Sequence, residues 1–323
     1  MALWLWVGFT LLVIGLLALD LGVFHRKAHV VSVQEALWWT AFWVGLALAF
    51  NALVYVMYSH HWLGIGLHVG HDLSGGEAAI EYLTAYVVEK SLSLDNIFVI
   101  ALIFAFFDVP RKSQHRVLFW GILGAIIMRG VMILAGIAII ERFSWIVYFF
   151  GALLIAAAVR MLTIRHDRMN PESSVLLRLL RRCYPVTDGY HGESFFVRRP
   201  DGVRAATPLL LALVFIENSD LMFAIDSIPA VFAVTLDPFI VYTSNIFAIL
   251  GLRSLYFALA AMMEKVRYLK PSLFLILIFV GVKMILTHHV KIAPLLSLAI
   301  ILGILGVGVA LSFLTPHARG DDA

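Results

Sequence analysis

Nine long apolar runs decide which fold classes are open to this chain. A transmembrane helix needs about 20 consecutive apolar residues to cross the hydrocarbon core of a bilayer. The runs, numbered below as spans 1 to 9, cover residues 3–24, 36–58, 79–107, 116–140, 144–163, 207–236, 239–263, 271–287 and 292–314. Only 14% of the residues are charged, against about 25% in soluble domains. The sequence therefore predicts an all-α, polytopic membrane protein with about nine transmembrane helices.

The basic residues between the runs predict the orientation of the chain. Short cytoplasmic loops of membrane proteins collect Lys and Arg. If all nine runs cross the membrane, 17 basic residues lie in loops on one side and two on the other. We therefore expect the N-terminus outside and the C-terminus in the cytoplasm. The same distribution accounts for the sequence pI of about 9.0, so we expect no nucleic-acid partner.

One long basic loop, residues 164–206, separates spans 5 and 6. It is too short for an independent core, but residues 176–182 suggest an amphipathic helix. Residues 195–203 contain a Pro-Asp-Gly turn and suggest a hairpin. The loop either rests on anionic lipid of the bilayer or docks partner proteins.

Two groups of three spans resemble each other. Residues 89–96 resemble 217–227, and three further pairs of short segments follow in the same order, 123 to 129 residues apart. Because three is odd, the copies would cross the membrane in opposite directions. Such inverted repeats are common in secondary transporters, whose substrates bind near the bilayer midplane. The predicted divisions are peripheral helices 1–58, repeat A 79–163, the basic loop 164–206, repeat B 207–287 and a last helix 292–314.

Acidic residues within the spans mark the candidate functional site. Each charge at a helix centre costs about 2.5–3.5 kcal/mol on insertion scales, and five of the six acids fall in the first span of each repeat. With a neighbouring amide, the predicted metal ligands are Glu89, Asp95, Asn96, Glu217, Asp220 and Asp226. Accessory oxygen ligands are expected from Asp20, Ser91 and Ser219.

An oxygen-rich set of this kind suits a hard divalent cation. Cys183 is the only cysteine, which excludes a thiolate metal cluster within one chain. The alternative is that the acids form ion pairs with basic residues inside the spans. These basic residues are Lys90, Arg129, Arg253 and Lys283.

Helix geometry limits which acids one cation can reach. Glu217 and Asp226 lie nine residues apart, on opposite faces of a regular helix. Pro229 removes a helical hydrogen bond and its ring crowds the carbonyl group of Ile225. The sequence thus predicts that span 6 is kinked or unwound beside Asp226.

Three segments resemble signature segments of the TerC family, which is named for tellurium resistance and belongs with the LysE-type transporters. They are Glu89–Asn96 (EKSLSLDN), Glu217–Val231 (ENSDLMFAIDSIPAV) and Leu19–Arg26 (LDLGVFHR). The long basic loop is similar to that of the Alx branch. The resemblance implies an exporter of Mn²⁺ in the bacterial inner membrane. The metal-linked acids of the family pattern fall on Glu89, Asp95, Glu217, Asp220 and Asp226.

Two functional classes remain beside a transporter. No phosphate-binding motif occurs, so we expect a secondary transporter of divalent cations, with proton antiport because carboxylates exchange metal for protons. We expect neither enzymatic activity nor a resident cofactor; Mn²⁺ would be the substrate. The first alternative is a scaffold without transport activity that docks partner proteins through residues 164–206 for tellurite or stress resistance. The second is a membrane enzyme that uses a bound metal.

Overall fold

The computed structural model describes residues 2–22, 32–143, 145–163, 178, 182, 185–187, 189–199, 202–260, 268–287, 289–290 and 292–314. Within these residues the chain forms ten α-helices of 9 to 32 residues, a short 3₁₀ helix (Trp62–Gly64) and one small hairpin. The helices are α1 (Ala2–Gly22), α2 (Val33–Ser59), α3 (Gly75–Phe106), α4 (Arg111–Arg142), α5 (Ile146–Thr163), α6 (Pro208–Phe232), α7 (Pro238–Leu250), α8 (Leu252–Ala260), α9 (Leu269–Ile285) and α10 (Pro294–Leu314). The all-α prediction is confirmed.

The helices overlap the nine apolar runs in order, with span 7 divided between α7 and α8. By length and composition, four helices of the described chain qualify as membrane spans: α2, α4, α6 and α10. The bent pair α7–α8 gives a fifth candidate. The multi-pass membrane architecture is therefore supported, while the count of nine spans stays a prediction.

Polar side chains fix where two of the central helices begin. Ser74 and Glu77 form a reciprocal capping box: the Ser74 hydroxyl accepts from the Glu77 N–H at 3.3 Å, and the Glu77 carboxylate accepts from the Ser74 N–H at 3.0 Å. Asp237 precedes Pro238, and its Oδ1 accepts from the N–H groups of Phe239 and Ile240 at 3.0 and 3.1 Å. Such caps satisfy helix-terminal donors that have no partner within the helix, so α3 and α7 start at defined residues.

The long loop after α5 and the basic loop between α3 and α4 lie at the same end of the helix bundle. Tyr190, in the long loop after α5, donates its hydroxyl to the carbonyl of Phe107, after α3, at 2.5 Å. Burial raises the pKa of Tyr190 to about 12, so this phenol stays protonated and keeps donating. Glu193 lies 3.7 Å from Arg116 near the start of α4. This grouping agrees with the predicted topology, in which both loops are cytoplasmic.

The other end of the bundle brings together the starts of α3 and α7. The N–H of His71, in the loop before α3, donates to Asp237 Oδ2 at 2.7 Å. Because the two helices begin at the same end, they run parallel. The predicted topology requires this arrangement, since spans 3 and 7 both enter from outside.

The predicted hairpin in the long loop is present. Strands β1 (Phe196–Arg198) and β2 (Arg204–Ala206) pair antiparallel, with Val197 opposite Ala205. The N–H of Gly202 donates to the carbonyl of Arg199 at 2.9 Å and closes the connection. The hairpin leads directly into α6. Most of the amphipathic helix predicted at 176–182 lies outside the described residues.

Helix packing follows the arrangement that two related repeats require. α3 packs against α7, and α4 packs against α6, which are corresponding pairs when the repeats are exchanged. The third helices, α5 and α9, pack against each other around Gly151 and Gly281. A Cβ atom on either glycine would lie 3.0 Å from the carbonyl oxygen of the other. The inverted repeat itself stays a prediction that this packing supports.

The break in the membrane helices occurs at Gly251 and not beside Asp226. α6 stays helical through Pro229 to Phe232, so the unwinding expected there is absent from the structure. α7 and α8 instead meet at Gly251 with a bend of 43°. A Cβ atom on Gly251 would lie 3.0 Å from both Lys90 Nζ and Trp43 Cβ, so helix packing at the break favours glycine.

Candidate cation-binding site

Arg129 lies at the centre of the bundle and contacts both predicted repeats. Its side chain is 1% exposed, and its Nη1 donates to Glu89 Oε1. Nε and Nη2 donate to the two oxygens of Asp220 at 3.4 and 3.1 Å. Nη1 also lies 3.2 Å from Ser227 Oγ and 3.0 Å from Asn245 Oδ1. The guanidinium therefore contacts two carboxylates and two neutral acceptors.

Four helices deliver these five side chains to one point. Glu89 comes from α3, Arg129 from α4, Asp220 and Ser227 from α6, and Asn245 from α7. Ser227 lies seven residues after Asp220, which is close to two helical turns, so both point from one face of α6. The site thus lies where the first two helices of each predicted repeat meet.

Asn245 ties the acidic and basic members of the cluster together. Its amide nitrogen donates to Glu89 Oε2 at 3.2 Å, while its oxygen accepts from Arg129. Buried ion pairs are stable only when their remaining donors and acceptors are also satisfied. Asn245 serves this purpose, because it bonds the Glu89 oxygen that Arg129 does not bond.

Glu217 also lies against α4, at Gly124. A Cβ atom on Gly124 would overlap the Glu217 carboxylate group. A larger residue at position 124 would therefore displace this carboxylate or separate α4 from α6. Gly124 lies five residues before Arg129 on α4, about 1.4 helical turns away, and the absence of a side chain there gives the Glu217 carboxylate room.

A small cavity of about 20 Å³ lies beside the cluster. Asp220 lines it together with Asn96 and Ser219, two of the predicted oxygen ligands. Arg253 also lines this cavity, and the remaining lining is apolar apart from glycine. Asp220 therefore belongs both to the Arg129 cluster and to the lining of this cavity.

The remaining predicted ligands are placed elsewhere. Asp95 is buried on α3 but does not line the cavity. Asp226 is partly buried on α6 and lies within electrostatic range of Arg160. Ser91 donates to the Val87 carbonyl of its own helix at 2.5 Å. The side chain of Asp20 lies outside the described residues.

For two of the buried acids, the structure shows the ion pairs that the sequence left open as an alternative to a metal site. Glu89 and Asp220 form ion pairs with Arg129, a basic residue inside span 4, as that alternative predicts. Within the described part of the chain, no three His, Cys, Asp or Glu side chains are grouped so that they could hold a metal ion. The six-residue metal site stays a prediction, and a cation at Glu89 and Asp220 has to displace the guanidinium.

Sequence reasoning missed Asn245 as a member of the site. The available signal was a fully buried polar triplet, Thr243-Ser244-Asn245, inside the apolar run of span 7. Thr243 and Ser244 donate to carbonyl groups of their own helix. Asn245 alone of the three pairs with the Arg129 cluster, which only the arrangement of the helices shows.

Comparison with known proteins identifies the family to which this chain belongs. The pattern of the integral membrane protein TerC family matches residues 74–319. A membrane protein of Myxococcus xanthus, STKORF319, described as uncharacterized, is 50% identical over 99% of this chain and 95% of the relative. Proteins of Salmonella typhi and Escherichia coli K12 carry the provisional name membrane-bound redox modulator Alx. The first is 42% identical over 98% of this chain and 95% of its own length.

The Escherichia coli K12 protein is 43% identical over 93% of this chain and 91% of its own length. No solved structure gives a significant match. The family match covers both predicted repeats and every described member of the Arg129 cluster. The chain belongs to the TerC family of integral membrane proteins.

Proposed function

We propose that this protein is a secondary transporter that exports divalent metal cations, Mn²⁺ foremost, from the cytoplasm. One observation carries the proposal: carboxylates from the first helix of each repeat, Glu89 and Asp220, converge on a single cationic group at the centre of the bundle. Ionisable groups inside a membrane are costly, and they mark ion pathways by default. Inverted-repeat transporters bind their substrates where the repeats meet.

The chemistry of the site limits the substrate class. Carboxylate, amide and hydroxyl oxygens are ligands for hard cations such as Mg²⁺, Ca²⁺ and Mn²⁺. Asn96, Ser219 and Asp220 offer such oxygens around one cavity. Within this class, the family resemblance selects Mn²⁺.

Transport requires a source of energy, which we assign to a proton gradient. Carboxylates bind metal only when deprotonated, so metal binding and proton binding exclude each other. Rocking of the repeats around the site would expose it to one side at a time. The protein then acts as a carrier and not as an enzyme.

Purified protein in liposomes tests the proposal directly. An imposed pH gradient is expected to drive Mn²⁺ across the vesicle membrane, and collapsing the gradient with a protonophore should stop the flux. Protein-free vesicles are the control. Absence of Mn²⁺ movement under any gradient would refute the transporter and favour the scaffold that docks partner proteins.

The topology of the chain gives a separate prediction. Reporter fusions after Asp167 and after Asp237 are expected to give opposite signals in a bacterial inner membrane, cytoplasmic at Asp167 and external at Asp237. The reason is the distribution of 17 basic residues against two. Compartment-specific enzyme reporters make the measurement. Equal signals at both positions would contradict the orientation and the inverted repeat together.

A further inference from the structure

We infer that Arg129 is a tethered cation that competes with the transported cation for Glu89 and Asp220. The inference rests on the proposed function and assigns a regulatory part of the same site. It makes Arg129 a positioning residue that sets both the affinity for the cation and its release.

The geometry places the guanidinium where the shared cation has to bind. Two of its nitrogens form a fork on the carboxylate of Asp220, and a third donates to Glu89. The oxygens that face the centre of the cluster are thus already occupied. A metal ion that binds both carboxylates must take the position of the guanidinium.

The neutral acceptors explain how Arg129 can leave the carboxylates and remain buried. Ser227 and Asn245 already accept hydrogen bonds from Nη1. These bonds do not depend on the charge of Glu89 or Asp220. A displaced guanidinium therefore keeps partners inside the bundle and stays ready to return.

Charge favours exchange for a divalent ion over a monovalent one. Between the two carboxylates, a divalent cation carries twice the charge of the guanidinium that it replaces, so the carboxylates attract it more strongly. A monovalent ion carries the same charge as the guanidinium and gains no Coulombic advantage over it. Arg129 would thus discriminate against Na⁺ and K⁺ as well as assist release.

Arg129→Gln tests the inference in the full-length protein. Calorimetry with Mn²⁺ alone is expected to show an affinity roughly tenfold or more above wild type, the scale of change seen when groups around metal ligands are altered. In liposomes the same variant should show a lower KM and a lower maximal rate, because release is impaired. Arg142→Gln, which removes an equal charge from the exposed end of α4, should match wild type in both assays.

Arg129→Lys is a second variant, which tests the inference even if Arg129→Gln does not fold. Lysine keeps the charge but lacks the fork that bonds Asp220 in two places. Its Mn²⁺ affinity should lie between those of wild type and Arg129→Gln. An unchanged or weaker affinity in Arg129→Lys, or in a folded Arg129→Gln, overturns the inference. If wild-type protein itself neither binds nor moves Mn²⁺, the proposed function fails instead.

Discussion

Glu89→Gln and Asp220→Asn are each expected to abolish cation export while the protein remains in the membrane. Each change removes one of the two carboxylates that converge on the centre of the bundle. A divalent cation would then face one negative charge instead of two, and we expect export to fall by roughly 100-fold. Removing a charge from a membrane helix eases its insertion, so the amount of protein should not fall for that reason. Liposome flux, normalised to inserted protein, measures the effect.

Glu141→Gln is the matched control for these two variants. Glu141 is an exposed residue in the last turn of α4, away from the cluster. It is expected to export at the wild-type rate. Wild-type flux in both Glu89→Gln and Asp220→Asn, at normal protein levels, would show that the buried carboxylates do not bind the transported ion.

Arg129→Met is expected to lower the stability of the cation-free protein by about 3–5 kcal/mol, the cost of leaving buried charges without their partner. Glu89 is fully buried and Asp220 is 9% exposed, so water can compensate little for the loss of their partner. Thermal unfolding in detergent, without divalent cations, measures the loss. No other described cation bonds both carboxylates.

A triple variant separates charge from shape in this result. Arg129→Met combined with Glu89→Gln and Asp220→Asn leaves no charge in the cluster, and uncharged replacements of buried ion pairs are often neutral in stability. It should recover most of the lost stability and still fail to export. If the triple variant were as unstable as Arg129→Met, packing volume and not unpaired charge would explain the defect.

The fold was predictable where apolar length decides it and unpredictable where tertiary contacts do. Apolar runs of membrane length leave few alternatives to helices, because lipid offers no partners for the backbone. Pro229 misled the prediction of an unwound segment, because it lies in the last turn of α6 and removes only one helical hydrogen bond. The break at Gly251 escaped notice, since a single glycine within an apolar run carries no distinct signal.

The acids of the site could be found from sequence, but their partners could not. Glu89 and Asp220 stood out as charges in apolar runs, and both belong to the cluster. Their pairing with Arg129 depends on how four helices are rotated and spaced, which hydropathy does not record. Asn245 lies 156 residues from Glu89, so only the packed structure shows that they bond. The identity of the transported ion stays a prediction, whether it is argued from the sequence or from the structure.

The broken helix has a consequence for biogenesis of the protein. Lys90 on α3 donates to the carbonyl of Ala248 at 3.1 Å, just before the break at Gly251, and these residues are 158 positions apart. A ribosome completes α3 long before it makes α7, so the nascent chain carries Lys90 without this acceptor during that interval. Lys90 of the first predicted repeat thus gains this hydrogen-bond acceptor only after α7 of the second has been made. A chain truncated in the basic loop would leave Lys90, Glu89 and Arg129 incompletely paired, and unpaired charges inside a bilayer are costly.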